Sequence, residues 1–292
     1  MLDFRLNTFL TVCKYMNFTR ASEELNITQP AVSQHIHYLE ELFQVKLFDY
    51  NNKKIRLTEA GAFLQSAATT MVHDVMHLQD KMKQLQGAKK ELVFGVTLTV
   101  GEFVIPGPVA GYLKAHPETA VRMTVANTQE LLKKLDDGQI DFALVEGFFA
   151  KNEYDSKVYS KEPYIGVCSP RYKPAKKMLR IEDTFEERII VREEGSGTRE
   201  IFERYLESRN FLISDYKNMI EISNISAIKA LTAEGCGITF LYEAAVKKEL
   251  ETGALVKIPL KDFELTHDLT FIWRRNSVFS PDYKELFYQL KD

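Results

Sequence analysis

The segment from residue 17 to residue 57 constrains the fold of this chain more than any other. It predicts a short helix, a polar break at Asn26-Ile27 and a second helix that begins after Thr28. Thr28 is a good N-cap, because its hydroxyl can accept a hydrogen bond from an unpaired N–H of the first turn. Pro30 falls in that first turn, where its missing N–H costs little. Two short helices in this order are typical of a module that reads the major groove of DNA.

The second of these helices has two opposed faces. Its apolar side chains recur at helical spacing and form one stripe, made of Val32, Ile36, Leu39 and Phe43. The opposite face presents amide, hydroxyl and imidazole groups, which suit contacts to base edges and phosphates. We therefore predict base readout by Gln29, Ser33, Gln34 and His37, with Arg20, Thr28 and Pro30 also at the DNA surface.

A basic hairpin is predicted directly after the reading helix. Residues 47–50 and 54–57 have the pattern of short strands, and Asn51-Asn52-Lys53 between them is a turn signal. Cations on such a wing position a protein on the DNA backbone without reading its sequence. The side chains assigned this role are Lys53, Lys54 and Arg56. Residues 1–57 are thus predicted to form a winged helix-turn-helix domain that binds double-stranded DNA.

Residues 58–86 are predicted to form one long helix, since they contain no Pro and no Gly after Gly61. Apolar residues fill two positions of a seven-residue repeat, with Leu64, Met71, Leu78 and Leu85 in one and Ala68, Val75 and Met82 in the other. A period of about 3.5 residues is typical of a coiled coil. At ~1.5 Å per residue the helix spans roughly 43 Å. We predict self-association through this linker helix, as a dimer or a dimer of dimers. The alternative is a helix packed on its own domain.

Strands and helices alternate from residue 91 onward, after a short linker at residues 87–90. The pattern predicts an α/β domain with mainly parallel sheets, and a last helix that begins at Pro281 with Ser280 as its cap. Strands are predicted at residues 92–96, 121–125, 142–145, 164–169, 188–191, 220–222, 237–241, 255–258 and 268–274. The last strand is expected to return to the first sheet.

Two loops of this half carry groups suited to a small ligand. Residues 95–101 run from a strand into a helix N-terminus, and residues 192–200 form a Gly-rich turn before a second helix. Free N–H groups and the helix dipole at such a turn favour a negative ligand. Both loops lie beyond the carboxyl ends of strands, where open α/β sheets bind ligands. We predict an inorganic oxyanion, a carboxylate or a phosphate ester bound by Thr97, Thr99, Ser196, Gly197, Thr198 and Arg199. The alternative is a capped turn in which Arg199 pairs with Glu203.

The chain resembles the LysR-type transcriptional regulators over nearly all of its length. The residues that carry the resemblance are Phe9, Ala21-Ser22, Leu25, residues 28–33, Ile36, Leu39-Glu40, Leu47-Phe48 and residues 57–61. Two positions differ from the family pattern. Ser22 stands where the family often has a second alanine, and Tyr50 stands where it usually has an arginine. The second difference removes one expected phosphate contact from the wing.

The resemblance implies a two-lobed effector domain like a periplasmic solute-binding protein. It places lobe I at residues 91–162 and 267–292 and lobe II at residues 163–266, with crossovers near residues 161–164 and 266–269. It also implies a small-molecule co-inducer, and contact with RNA polymerase if the protein activates transcription. Further effector contacts implied by the family pattern are Thr128, Glu146 and Asn224.

The segment at residues 192–199 narrows the resemblance further. It is similar to the corresponding segment in the branch that contains regulators of carbon-dioxide fixation and of sulfur assimilation. The effectors that this similarity favours are sulfite, sulfate and a phosphorylated sugar.

Charge and hydropathy set the bounds of this interpretation. The net charge is −3, and residues 1–60 contain as many cations as anions, so the DNA-binding prediction depends on their arrangement. The first apolar run is broken by Arg5, Asn7 and Lys14, and no stretch reaches the ~18 apolar residues of a membrane span. We therefore expect a cytoplasmic protein without a membrane partner.

Three other functions compete with this interpretation. An enzyme would need a catalytic constellation, but the sequence has no paired carboxylates at helical spacing, no G-x-S-x-G motif and no metal-ligand spacing. His73 and His77, four residues apart, are expected on a solvated helix face. A ligand-binding protein without a regulatory role would have no use for the first 86 residues. A redox-responsive regulator would use Cys168 and Cys236, although Cys236 occupies a position that suits a buried apolar residue. No cofactor besides the co-inducer is expected.

Overall fold

Three short helices and a hairpin form the N-terminal domain. In the computed structural model, which describes residues 3–51 and 54–291, they are α1 (Phe4–Tyr15), α2 (Phe18–Leu25), α3 (Gln29–Phe43), β1 (Phe48–Asn51) and β2 (Lys54–Leu57). Asn17 caps α2 by accepting a hydrogen bond from the N–H of Arg20 at 3.0 Å. Thr28 caps α3 in the same way, from the N–H of Ala31 at 3.3 Å. The predicted winged helix-turn-helix is confirmed.

The core of this domain lies where the three helices meet the hairpin. α3 contributes Val32, Ile36 and Leu39, which are buried as the apolar stripe predicts. Phe43 is exposed, so the prediction that it belongs to this buried stripe is wrong. It is the last residue of α3, and the chain leaves the helix at Gln44 in a left-handed conformation with φ 56°. The final turn of α3 therefore extends past the core.

The linker helix α4 (Glu59–Leu85) is 27 residues long and ends one residue inside the predicted bounds on each side. Thr58 caps it by accepting from the N–H of Gly61 at 2.9 Å. Along the predicted coiled-coil seam, Ala68 is buried, whereas Met71, Leu78, Met82 and Leu85 are exposed. A single chain thus leaves most of this apolar seam open, as a coiled-coil partner requires.

The effector domain has two lobes joined by two long strands. Lobe I contains β3 (Glu91–Val96), α5 (Pro106–Ala115), β4 (Ala120–Val125), α6 (Thr128–Asp136) and β5 (Phe142–Val145). The strand β6 (Tyr154–Cys168) leads to lobe II, which contains β7 (Arg188–Val191), α7 (Gly197–Ser208), β8 (Asn218–Glu221), α8 (Ile225–Ala233), β9 (Thr239–Tyr242), α9 (Glu243–Thr252) and β10 (Val256–Lys257). The strand β11 (Leu265–Arg274) returns to lobe I, where α10 (Ser280–Gln289) follows. Within the described residues, no helix is both long and apolar enough to span a bilayer.

Seven strands of the effector domain form one continuous sheet in the order β10-β6-β11-β5-β3-β4, with β9 also paired to β6, and β7 and β8 form a separate two-stranded sheet. Pairing is parallel between β3 and its neighbours β4 and β5, and between β7 and β8. β6 and β11 run antiparallel along each other, so the expectation of mainly parallel sheets is wrong for the joining strands. The core is centred on this sheet. Phe94, Phe142 and Phe271 stack across β3, β5 and β11, with successive ring centroids 5.0 and 4.5 Å apart.

The start of the last helix differs from the prediction. Ser280 does not cap α10; it is the first helical residue, and no side chain caps that end. Its Oγ instead accepts a hydrogen bond from Trp273 Nε1 at 3.0 Å. The indole N–H of Trp273 is buried in the core of lobe I and needs an acceptor. The Ser280 hydroxyl therefore accepts from the strand β11 and does not cap the helix.

One face of α4 packs on lobe I through a buried guanidinium. Arg274, at the end of β11, is only 1% exposed. It donates to Asp136 at 2.8 Å and to Glu153 at 3.3 Å, both in lobe I. It also donates to the carbonyl of Ser66 at 3.1 Å and to Thr70 Oγ1 at 3.3 Å, both on α4. The alternative of a helix packed on its own domain therefore holds for this face of α4, while the seam remains open.

His73 and His77 lie on the packed side of α4. His73 is 1% exposed and the His77 side chain 15%, so the expected solvated helix face is wrong for both residues. Their Nδ1 atoms face carboxylates, at 3.4 Å from Asp74 for His73 and at 2.8 Å from Asp141 for His77. Asp74 also accepts from Ser277 Oγ and the N–H of Val278, which adds a second attachment of α4 to lobe I.

Replacing Arg274 with methionine should lower the free energy of unfolding by about 2–3 kcal/mol, because Asp136 and Glu153 then lose the buried cation that pairs with them. Both carboxylates are partly exposed, which limits the loss. Burial raises the pKa of Asp136, and Arg274 opposes that rise. Without Arg274 the ionised form of the Asp136 carboxyl is destabilised further. The loss in free energy of unfolding should therefore be larger at pH 7.5 than at pH 5. Urea unfolding followed by circular dichroism at both pH values measures it.

The matched control is Arg122→Met, which removes an exposed arginine paired with Glu91 at 2.8 Å. This pair should contribute at most about 1 kcal/mol. Equal losses for the two variants, or a loss for Arg274→Met that does not change with pH, would contradict the assigned role of Arg274.

Candidate functional site

A cavity of about 170 Å³ lies between the two lobes, where the loops after β3, β4 and β5 meet the loop after β7. Lobe I supplies Thr97, Leu98, Val125, Ala126, Asn127 and Glu146 to its lining, and lobe II supplies Arg192, Glu193, Ser196 and Gly197. Four of the predicted effector residues therefore line one cavity. They are Thr97, Glu146, Ser196 and Gly197.

Polar atoms without partners are concentrated around this cavity. Five buried atoms, drawn from both lobes, have no hydrogen-bond partner among the described residues: Thr97 Oγ1, Thr128 Oγ1, Glu146 Oε2, Arg192 Nη1 and Ser196 Oγ. Buried polar groups are nearly always paired, and each unpaired one costs about 1–3 kcal/mol. Such a set is suited to a small ligand that is itself rich in hydrogen-bonding atoms.

Arg192 gives the cavity a fixed cation. It follows β7 directly and is buried, and its Nε and Nη2 both donate to the carboxylate of Glu193 at 2.8 Å. This two-bond pairing holds the guanidinium plane in place and leaves Nη1 without a partner among the described residues. Sequence reasoning did not include Arg192 among the site residues. Arg192 comes immediately after a buried strand, and the side chain at that position points into the cleft. This position was the signal that could have indicated it as a site residue.

Glu146 is the second ionisable group of the cavity and is only 2% exposed. Burial raises the pKa of its carboxyl, against the opposing effects of the Thr99 and Thr198 hydroxyls and of Arg192. Its Oε1 accepts from Thr198 Oγ1 at 3.0 Å, and its Oε2 has no partner among the described residues. A carboxyl whose pKa is raised can carry a proton and donate to an anion. Its presence is therefore compatible with a negative ligand.

Beneath the cavity the two lobes are in direct contact. Thr99 Oγ1 of lobe I lies 3.3 Å from Thr198 Oγ1 of lobe II, just before a single turn of π-helix at Val100–Val104. Tyr164 donates to the carbonyl of Thr198 at 2.9 Å. A Cβ on Gly197 would lie 2.9 Å from Glu146 Cγ, so only glycine permits this approach. Thr99 and Thr198 thus join the lobes and do not line the cavity.

Besides Thr99 and Thr198, three further predicted effector residues lie outside the cavity lining. The Arg199 side chain pairs with Glu203 at 2.7 Å and with Glu221 at 2.6 Å, which agrees with the capped-turn alternative for this residue. Asn224 is exposed and caps α8 by accepting from the N–H of Ala227 at 2.9 Å. Thr128 begins α6 and is buried beside the cavity, with its hydroxyl unpartnered.

The predicted DNA-reading groups lie on one open surface of the N-terminal domain. Gln29, Gln34 and His37 are exposed on α3, and Ser33 is half-buried. Two of these groups are paired with each other, since Gln29 Nε2 donates to Ser33 Oγ at 2.9 Å. His37 Nε2 faces Glu41 at 3.1 Å, one helical turn on. Base contacts would replace these exposed pairs.

The other residues predicted at the DNA surface lie around α3. Arg20 on α2 and Arg56 on β2 are exposed, and so is Pro30 in the first turn of α3. The hydroxyl of Thr28 is occupied as the cap of α3. Lys54 opens β2, and Lys53 lies outside the described residues.

The cysteines show no reactive pair within the described residues. All three are free thiols; Cys13 and Cys168 are buried and Cys236 is partly exposed. Burial raises the pKa of Cys168, with Glu187 adding to the effect. A buried thiol with a raised pKa is a poor nucleophile, because the thiolate is the reactive form. This environment does not favour the redox alternative.

Two family models match the chain. "Bacterial regulatory helix-turn-helix protein, lysR family" covers residues 4–62, and "LysR substrate binding domain" covers residues 85–292. The regulator CysL of Bacillus subtilis is 30% identical over 91% of this chain and 89% of its own length. A RuBisCO operon transcriptional regulator of Allochromatium vinosum is 28% identical over 95% of this chain and 91% of its own length.

Solved structures share the fold at low identity. Full-length LysG from Corynebacterium glutamicum, with its effector Arg bound, superposes with a TM-score of 0.64 at 18% identity, covering 99% of this chain and 98% of that one. The regulatory domain of CcmR from Synechocystis, in complex with 2-PG, has a TM-score of 0.60 at 18% identity and covers 70% of this chain and 98% of its own.

Iodoacetamide at pH 8 should label Cys236 in the native protein well before Cys13 and Cys168. Burial raises the pKa of Cys13 to about 12 and that of Cys168 above its ordinary value, so neither forms much thiolate. Time-resolved mass spectrometry measures the three rates, and the urea-unfolded chain, in which they should become similar, is the control. Fast labelling of Cys168 in the native state would return the redox alternative to consideration.

Proposed function

Since the chain belongs to the LysR family of DNA-binding transcriptional regulators, we propose that a small oxyanion held between its two lobes controls its action on DNA. The observation that carries this proposal is the set of five unpartnered polar atoms around the cleft. Groups from both lobes belong to the set, so one ligand that satisfies them is bound best when the lobes are closed around it.

The character of these groups indicates the ligand class. Three hydroxyls, one guanidinium N–H and a carboxyl that can carry a proton all serve as donors, which suits a ligand with several acceptor oxygens and negative charge. The cavity of about 170 Å³ is smaller than the ~300–1,000 Å³ of sites for drug-sized ligands. Sulfite, sulfate, a small carboxylate and a small phosphate ester fit this description.

Regulators of the same fold bind small molecules: full-length LysG was solved with Arg, and the regulatory domain of CcmR with 2-PG. The assigned contacts in this chain are Thr97, Thr128, Glu146, Arg192 and Ser196, with Thr99, Gly197 and Thr198 holding the lobes together beneath them. Arg199 and Asn224 act indirectly, by fixing α7 and α8.

DNA is contacted by two or more N-terminal domains in one assembly. The exposed seam of α4 is covered by a second copy of the chain, which gives a dimer or a dimer of dimers and places paired reading helices on successive grooves. The anion shifts the assembly between arrangements only through its different affinity for them. This activity places the protein in the cytoplasm with the chromosome, and activation would add contact with RNA polymerase.

A thermal-shift screen against small anions tests the effector site. A ligand that binds only the folded protein adds ~2.7 kcal/mol at a hundred times its dissociation constant, so sulfite, sulfate, phosphate, sugar phosphates and dicarboxylates can be compared directly. Ser196→Ala and Arg192→Met should weaken the best ligand at least about tenfold, which is ~1.4 kcal/mol, because each removes a donor to it. Ser226→Ala, on the exposed side of α8, is the matched control and should bind normally. A ligand retained by both cavity variants, or none found in the panel, would count against the oxyanion site.

Variants of the reading helix test the DNA surface separately. Gln29→Ala should relax specificity at one position of a site selected from random duplexes, by ~1–3 kcal/mol. Arg56→Ala should weaken binding to all sequences and lower the salt dependence by about one counterion. Fluorescence anisotropy on the selected and a scrambled duplex, at several salt concentrations, measures both effects. An unchanged ratio of the two affinities for Gln29→Ala would remove that residue from base readout.

A further inference from the structure

The carboxyl of Glu146 changes from a hydrogen-bond donor to an acceptor when it loses its proton. Glu146 follows β5 directly, lines the cavity between the lobes and is 2% exposed. Its Oε1 accepts from Thr198 Oγ1 at 3.0 Å, while its Oε2 has no partner among the described residues. This second oxygen is therefore the one left for a ligand.

The other charges of the cavity already balance each other. Arg192 donates two hydrogen bonds of 2.8 Å to the carboxylate of Glu193, so its positive charge is shared with that group. The remaining groups assigned to the ligand are neutral hydroxyls. An ionised Glu146 and a bound anion would therefore face each other with little positive charge between them, which is costly in a buried site.

The surroundings of Glu146 favour its uncharged form. Burial raises the pKa of its carboxyl, so its proton is lost at a higher pH than from an exposed glutamate. Burial also raises the pKa of two neighbouring phenols well above the ordinary value, and these phenols stay neutral. The side chains that interact with Glu146 from the elements around it are Thr99, Tyr164, Arg192, Glu193, Thr198 and Tyr242. The charged groups among these are the mutually paired Arg192 and Glu193.

One proton between Glu146 and the ligand removes the repulsion. If the ligand has only acceptor oxygens, the proton must be on the carboxyl, which then donates to the ligand. If the ligand has an O–H, an ionised carboxyl accepts from it, and no proton has to come from the solvent. Sulfate is a ligand of the first kind except in strong acid. Hydrogen phosphate has nearly the same size and keeps an O–H up to strongly alkaline pH.

We propose that Glu146 makes the cleft select oxyanions that keep an O–H, so that hydrogen phosphate and other weak-acid oxyanions bind in preference to sulfate. This inference rests on the proposed oxyanion site and narrows its ligand class. Sulfate has to take up a proton at Glu146 in order to bind, so its affinity falls about tenfold for each pH unit above the pKa of that carboxyl. An anion that supplies the proton itself avoids this loss.

Calorimetric titration of the full-length protein with sodium phosphate and sodium sulfate tests the selection. At pH 8.5 both anions carry two negative charges, and they differ by one proton. The wild type should bind phosphate at least about tenfold more tightly than sulfate at this pH, and sulfate should bind more tightly at pH 6. Titrations in two buffers with different ionisation enthalpies count the protons taken up. Sulfate binding at pH 8.5 should take up close to one proton, and phosphate binding fewer.

Glu146→Gln keeps the shape of the side chain and can donate through its amide, but it cannot change its protonation state. This variant should bind sulfate and phosphate with affinities within about threefold of each other, and its affinity for sulfate should not change between pH 6 and pH 8.5. Sulfate should bind to it without proton uptake.

Glu187→Gln is the matched control, since it changes another buried glutamate at the opposite end of β7 from Arg192. Tyr172 and the N–H of Ala175 donate to Glu187 at 2.7 and 2.8 Å, and it lies outside the cavity lining. This variant should keep the wild-type preference. Melting curves establish that both variants are folded, and the proton count of the wild type decides the case if Glu146→Gln is not.

Three results would overturn the selection: equal affinities of the wild type for the two anions at pH 8.5, sulfate binding without proton uptake, or an unchanged preference in Glu146→Gln. Each of them leaves the oxyanion site itself in place, because an anion still binds. If neither anion binds the wild type at either pH, the oxyanion site fails and the selection fails with it.

Discussion

The guanidinium of Arg274 holds together parts of the chain that are far apart in sequence. Arg274 ends a joining strand. Its guanidinium donates to the carboxylate of Asp136 at the end of α6 and to the backbone carbonyl of Ser66 on α4. A buried arginine is tolerated only where charge and hydrogen bonds compensate it, so these elements must remain in register with one another. The orientation of the linker helix on lobe I, and hence of the DNA-binding domain, depends on this joint.

Most buried polar groups in the rest of the effector domain follow the same rule, and five of the ten exceptions among the described residues surround the cleft. Thr239 donates to the carbonyl of Ile190 at 2.7 Å, and Tyr159 to that of Leu290 at 2.6 Å, as buried hydroxyls ordinarily do. Around the cleft and beside His73 and His77, buried donors and acceptors have no such partners among the described residues. The hydroxyls and the guanidinium around the cleft suit an oxyanion.

Local patterns in the sequence were sufficient for most of the elements but for only part of the sites. The cap at Thr28 and the seven-residue repeat of α4 are written in neighbouring residues, and both helices formed as predicted. Arg199 pairs with Glu203, four residues on, as the capped-turn alternative predicted, whereas its second partner Glu221 is 22 residues away and no local pattern indicates it. His73 and His77 were expected in solvent because the surface that buries them comes from residues 141 and 283. Arg192 was missed although its place directly after the buried strand β7 is a local signal.

The attachment of α4 to lobe I has a consequence for how a signal would leave the cleft. The DNA-binding domain, the linker helix and lobe I are joined by side chains that do not involve lobe II, namely Arg274, Asp74 and His77. If the proposed ligand closes the cleft, lobe II would be the part that is displaced relative to the DNA. A neighbouring protomer that rests on lobe II would be carried along with it. The ligand would then change the spacing between chains.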